Sequence, residues 1–168
     1  MPNPRREMPI ARFVAAAASR PRAAIALAAV AAIILRLAFG FTLWGGKPLG
    51  GDEREYLSLA RGLTEGDGLN FTGGLQPEQI VPLPAPGYPF FLALVGAGQP
   101  KVTTLPPSVK IAQAFAGGLA VLLLGIIGRR VGGSTAGIAA AWIAACSPPL
   151  IWISAFALTE ALVWPMGL

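Results

Sequence analysis

Apolar and polar positions divide this chain into long hydrophobic runs, one extended polar stretch and short basic or proline-containing breaks. Residues 23–44 are apolar apart from Arg36, and a helix that crosses a bilayer needs about 20 such residues. The pattern returns at 108–128 and 133–153, separated by Arg129-Arg130, and a fourth run begins at 155 and contains Glu160. Within the polar stretch, Tyr56, Leu59, Ala60 and Leu63 fall at helical spacing and predict an amphipathic helix over 52–63. Asp52 lies one turn before Tyr56 and is expected on the same inward side, with Glu55 and Ser58 toward water. Gly66, Gly68, Gly73 and Gly74 then break the helix. Pro82, Pro84, Pro86 and Pro89 predict a stiff extended connection. A short apolar helix follows over 90–95, too short to cross a bilayer and expected to lie at its surface.

These elements predict an all-α, polytopic membrane protein with about four transmembrane helices and one extracytoplasmic juxtamembrane helix. Composition agrees: 54% of residues are hydrophobic and 12% charged, against about 25% charged in soluble domains. The net charge of +5 changes the picture only through its placement. Arg5, Arg6, Arg12, Arg20 and Arg22 precede the first run, and Arg129-Arg130 lie between the second and third. Basic residues in short segments mark the cytoplasmic side. The expected arrangement is therefore a multi-pass protein of the inner (plasma) membrane. Residues 1–21 form a cytoplasmic basic tail, residues 22–168 the membrane domain, and residues 45–107 its first extracytoplasmic loop. A cleaved signal peptide ending near Ala38-Phe39-Gly40 is the competing reading of the first run; Phe41 and Trp44 extend that run past it. Nucleic acid is excluded as a partner, because no basic patch is interleaved with aromatics. The lipid bilayer is the expected partner. Ser147-Pro148-Pro149 is expected to kink or end the third span.

The chain has no histidine and one cysteine, Cys146, within an apolar run. Histidine-based acid–base catalysis, histidine metal ligation and an intrachain disulfide are excluded. Chemistry falls to carboxylates, Lys, Arg and Tyr. No cofactor motif is present; a divalent metal held by carboxylate oxygens is the one cofactor this residue set allows. Asp52 and Glu53, just beyond the first span, are the candidate catalytic carboxylates, able to take a proton from an attacking hydroxyl. For Asp52 the structural alternative is a helix cap; for Glu53, a solvated helix face or an oxygen ligand for a metal. Arg36, Lys47, Arg54 and Arg61 are candidates for binding a phosphate, against snorkelling or local ion pairs. Tyr88 is a candidate substrate contact or, with Trp44, an interfacial anchor. Glu160, a carboxylate in an apolar run, is costly unless functional or paired, and is expected to line one cavity with Asp52. Asn70-Phe71-Thr72 matches a glycosylation sequon, read here as fortuitous.

Several of these pieces, in this order, resemble the GT-C superfamily of polytopic glycosyltransferases. They are most similar to the protein O-mannosyltransferase and aminoarabinose-transferase-like group (glycosyltransferase family 39 and its bacterial relatives). The residues that carry the resemblance are Asp52-Glu53 with Tyr56-Leu57 and Ala60, then Pro86-Gly87-Tyr88-Pro89. Gly128-Arg129-Arg130 with Gly133 and Ala136-Gly137 follow, then Ser147-Pro148 and Leu158-Thr159-Glu160. Together they span residues 22–168. The resemblance implies transfer of a sugar from a polyprenyl-phosphate-linked donor to a cell-envelope acceptor on the extracytoplasmic face. Relatives often carry a basic residue just before the Pro-Gly-Tyr-Pro element; Leu83, Pro84 and Ala85 stand here. The family's greater length implies that this is an N-terminal portion, inactive alone and completed by a C-terminal half, encoded separately if not in the same frame. The alternatives are a non-catalytic membrane subunit, a transporter-like protein or an inactive truncated remnant.

Overall fold

The computed structural model describes residues 19–69, 86–99 and 102–161. Most of the basic tail, the Asn70–Thr72 sequon, residues 82–85 of the proline stretch and the fourth apolar run beyond Ala161 lie outside the described residues. Within them the secondary structure is helical apart from one isolated bridge. Helix α1 spans Pro21–Ala38 and runs on into a π-helical turn, Phe39–Leu43. Helix α2 spans Gly51–Glu65, α3 Gly87–Leu94, α4 Pro107–Cys146 and α5 Pro148–Ile153.

Local chemistry sets most of these limits. Pro21, Pro107 and Pro148 occupy the first helical positions of α1, α4 and α5, where a missing N–H costs nothing. Gly66 ends α2 in the left-handed conformation, φ 89°. Ser147, forced out of helical backbone by the following proline, has ψ 114° and ends α4. Proline in a first turn also explains why α3 begins earlier than the sequence predicts. Gly87, Tyr88 and Pro89 are its first three residues, and a helix leaves its first four N–H groups unpaired in any case.

Helix α4 doubles back. At Gly133 the backbone takes φ 80°, ψ −177°, a region open only to glycine. In an unbroken helix Gly125 and Ala141 would stand about 24 Å apart, at 1.5 Å per residue. Instead, a β-carbon on Gly125 would sit 3.1 Å from that of Ala141. The arms 107–132 and 134–146 therefore form an antiparallel hairpin turning where Arg129-Arg130 and Gly133 foretold.

Helix α1 packs antiparallel to the first arm. Ile25 meets Gly125, Ile33 meets Gly118 and Arg36 meets Gly117. Side chains at these glycines would lie 2.4–2.5 Å from atoms of α1, so their absence lets the helices approach, as small residues do between membrane helices. Ile25, Ala28, Ala32, Val121, Ala141 and Ala145 form the core of this bundle. A second core lies beyond its end, where Leu57 and Ala60 of α2 meet Tyr88 and Leu92 of α3, with Val109 and Ala157. The ends of the loop meet there: Pro48 bridges Thr104, and Leu49 N–H donates to Thr103 O at 3.1 Å.

Two helices, Pro21–Leu43 and Pro107–Cys146, are long and apolar enough to cross a membrane. Their outward faces carry Leu27, Ile34, Phe115, Leu119 and Ile143, all exposed. An apolar surface of that kind suggests a membrane protein. The later runs are less regular than the first two. The third run is broken at Ser147, where a kink or end is expected: helix stops at Cys146 and resumes over Pro148–Ile153, so the unbroken arm of 13 residues reaches only about 20 Å of the roughly 30 Å hydrocarbon layer. The fourth run does not start as helix at 155, because Ala155–Thr159 are turn and irregular. Cys146 is exposed at the end of α4.

The hairpin yields a test. A β-carbon at Gly137 would fall 2.6 Å from Gly125 O and 2.8 Å from Arg129 N, backbone atoms that cannot rotate away. Gly137→Ala should destabilise the protein by roughly 1–3 kcal/mol, the usual cost of overpacking. Gly46→Ala, where nothing lies within 4 Å, should be close to neutral. Chemical denaturation in detergent, followed by tryptophan fluorescence, reads the difference.

Candidate functional site

The polar residues gather where the helix bundle meets the α2–α3 core. Glu53, third residue of α2, is buried. Its Oε2 accepts from Gly50 N–H at 2.8 Å, closing the first turn as the acidic half of a capping box. Its Oε1 accepts from Ala157 N–H at 2.9 Å. Gly50 has no side chain with which to reciprocate, so this carboxylate alone joins the start of α2 to the segment after α5.

That segment is held twice more. Gln113 of α4 is fully buried, and its Nε2 donates to Phe156 O at 2.8 Å and to the Tyr88 hydroxyl at 2.9 Å. The Thr159 hydroxyl bonds that of Tyr56, whose ring stands edge-on to Tyr88. Burial, with the nearby Glu53, Tyr56 and Glu160, pushes the Tyr88 phenol well above its ordinary value, against the opposing bond from Gln113. Tyr88 is thus a core residue rather than an interfacial anchor: its ring is closed in and its hydroxyl is engaged.

Beside this network lies a cavity of about 160 Å³, walled mainly by Val121, Leu124, Ala144 and Ile153. Arg36, Gln113, Ser154 and Glu160 also line it. Arg36 is buried, one Nη donating to Ala32 O of its own helix at 3.1 Å. Its guanidinium fits because position 117 is glycine: a β-carbon there would come within 2.5 Å of Nε. Gln113 Oε1, also buried, has no hydrogen-bond partner among the described residues. The cavity can therefore take a group that donates to Gln113 or Glu160 and accepts from Arg36. Lys110, one turn before Gln113, points elsewhere: its Nζ donates to Gly40 O at 3.0 Å and Trp44 O at 3.1 Å, capping the end of the π-helical turn.

The remaining predicted residues face outward. Asp52 is exposed, second in α2, and has no hydrogen-bond or ion-pair partner among the described residues. It is neither on the inward face, as its register with Tyr56 predicts, nor the N-cap, which is Gly50. The buried stripe of α2 is Glu53, Leu57 and Ala60 with Leu59, turned about one residue from the predicted Tyr56, Leu59, Ala60 and Leu63, so Glu53 faces inward in place of Asp52. Nor does Asp52 line the cavity that Glu160 shares with Arg36. Arg61 is engaged by Glu65 at 2.8 Å in an exposed i, i+4 pair. Arg54 Nε donates to Leu49 O at 3.2 Å, and Lys47 Nζ sits 5.4 Å from the Trp44 ring centroid. Among the described residues no three Asp, Glu or Cys side chains come together as a metal site would require.

Sequence reading missed Gln113, Lys110 and Ser154. Lys110, Gln113 and Gly117 recur at i, i+3, i+7, one face of an otherwise apolar helix, and that stripe was the available signal. The chain matches no family model, no curated protein and no solved structure.

Titration of Tyr88 checks this geometry. A phenol raised above the unfolded value near 10 contributes stability that is complete below pH 10 and lost as pH rises beyond it. Ultraviolet absorbance should show Tyr88 remaining protonated at pH values where exposed tyrosine ionises. Tyr88→Phe should remove that resistant component.

Proposed function

We propose that this chain forms the membrane-embedded, substrate-binding part of a GT-C-type glycosyltransferase, which uses a polyprenyl-phosphate-linked sugar outside the plasma membrane. The observation that carries this reading is the division of labour between adjacent carboxylates at the mouth of the helix bundle. Glu53 is buried with both oxygens engaged by backbone N–H groups, whereas Asp52 is exposed and unpaired beside it. In the proposed reaction an acceptor hydroxyl attacks the anomeric carbon, the bond from that carbon to phosphate oxygen breaks, and polyprenyl phosphate leaves. Asp52 takes the hydroxyl proton, and Glu53 fixes the start of α2 on which Asp52 stands. Lys47 and Arg54, flanking Asp52 in the chain, supply positive charge for the phosphate. The buried Arg36, lining one cavity with the exposed Glu160, favours a second reading, a transporter-like or non-catalytic membrane subunit, because an ionisable group inside a bundle also marks transport pathways.

Two experiments separate the readings. Membranes containing the protein in its full genetic context should consume a polyprenyl-phosphate hexose, offered as a panel labelled in the sugar. Asp52→Asn should reduce that turnover by about 10²–10⁴-fold, the usual contribution of a general base, with unchanged protein abundance. Turnover like the parent's in the Asn variant, or consumption of no donor, removes the transferase assignment.

The topology is inner-membrane and multi-pass, with the N-terminus in the cytoplasm. On the single-cysteine background Cys146→Ala, Lys47→Cys should react with an impermeant maleimide added outside intact cells, and Gly132→Cys should not. The opposite labelling pattern inverts the arrangement.

A further inference from the structure

Far from the carboxylates, the opposite end of the α1–α4 pair carries four arginines from two distant parts of the chain. Arg20 and Arg22 lie at the start of α1, and Arg129 and Arg130 precede the Gly133 turn. Two adjoining clefts form between them. One, of about 350 Å³, is lined by Arg22, Arg129 and Arg130 with Ile25, Leu122 and Ile126. The other, of about 470 Å³ and more open, is lined by Arg20, Arg22 and Arg129 with Pro21 and Ala23. Arg22 and Arg129 belong to both. Among the described residues no carboxylate pairs with any of the four, the one ion pair being Arg61–Glu65 at the other end of the molecule.

Four uncompensated guanidinium groups this close repel one another unless anions lie between them, and the positive end of the α1 dipole adds to the same potential. Guanidinium groups prefer phosphate, which they grip through paired N–H donors. Two clefts, each with three arginines and two of those shared, match two phosphates held a short tether apart rather than one. The surroundings indicate what carries those phosphates. Ile25, Leu122 and Ile126 line the tighter cleft, and the adjoining helix surfaces expose Leu27, Ile126, Ile127 and Val131. Acyl chains fit such a surface, whereas a soluble diphosphate leaves it bare.

We propose that this arginine-lined double cleft is a binding site for an anionic phospholipid with two phosphodiester groups, a diphosphatidylglycerol. Its phosphates occupy the two clefts, and its acyl chains lie along α1 and the first arm of α4. The site holds these ends of the helices at the membrane surface and is independent of sugar transfer at the other end.

Native mass spectrometry of the purified 168-residue chain in detergent tests the assignment, with tetraoleoyl diphosphatidylglycerol and dioleoyl phosphatidylglycerol as probes. The diphosphatidyl lipid should bind about 10-fold more tightly than the monophosphate lipid, since each arginine near a phosphate contributes of the order of one tenfold step or less. Arg22→Gln with Arg129→Gln should erase that preference, and Arg61→Gln, which removes a positive charge from the other end, should leave it. Pyrophosphate at millimolar concentration should not displace the lipid. Equal affinity for the two lipids overturns the proposal on the unaltered chain, whatever the variants do. A preference that survives the double substitution, or displacement by pyrophosphate, overturns it as well.

Discussion

A single buried carboxylate holds together parts of this molecule that lie 104 residues apart. Glu53 closes the first turn of α2 through Gly50 N–H and reaches the backbone of Ala157 with its other oxygen. Hydrogen bonds to a charged group contribute roughly 1.5–3 kcal/mol each, and a buried N–H left without its acceptor costs a similar amount. Gln113 and Thr159 hold the same segment from two further sides. The α2–α3 core is thereby tied to the helix bundle through directed bonds, in a region where apolar contact alone would fix no register.

The bundle itself depends on the absence of side chains. Gly117, Gly118 and Gly125 on α4 face Arg36, Ile33 and Ile25 on α1. In hydrocarbon, helices gain little from hiding apolar surface from one another, and close backbone approach supplies the attraction instead. The same closeness makes room for Arg36. A cation placed over Gly117 can be buried because the neighbouring helix has withdrawn its own volume. The cavity containing Gln113 and Glu160 is what remains beside that guanidinium.

How much of this was legible in the sequence follows from what each signal measures. Apolar run lengths, the amphipathic period of α2 and the turn at Gly133 are local properties, and they foretold α1, α2 and the hairpin of α4, whereas the run from 155 begins as turn and irregular chain. The inward face of α2 was misassigned by about one residue. The period places Tyr56, Leu59 and Ala60 on one side but leaves open which edge of that stripe is buried; Glu53, Leu57 and Ala60 are, and each residue turns the face by about 100°. So Asp52 was expected where Glu53 stands. Gln113 was missed because its partners, Tyr88 and Phe156, come from distant segments that only tertiary packing brings near. Arg36 and Glu160 were legible as anomalies in apolar runs, though not as lining one cavity.

The π-helical turn at the end of α1 carries a consequence of a different kind. Trp44 N–H reaches back five residues to Phe39 O, so the turn contains one residue more than an α-helix would use. Trp44 stacks on Phe39 and packs against Trp152 and Phe156, while Lys110 binds the carbonyls at both ends of the stretch. All of these contacts depend on the direction in which the chain leaves the helix. An exposed side chain such as Leu43 can vary without disturbing that direction. Losing one residue anywhere in Phe39–Leu43 would wind the turn back to α-helix and swing the exit by roughly a quarter of a circle. In this stretch the count of residues, more than the identity of each exposed one, sets where the chain goes next.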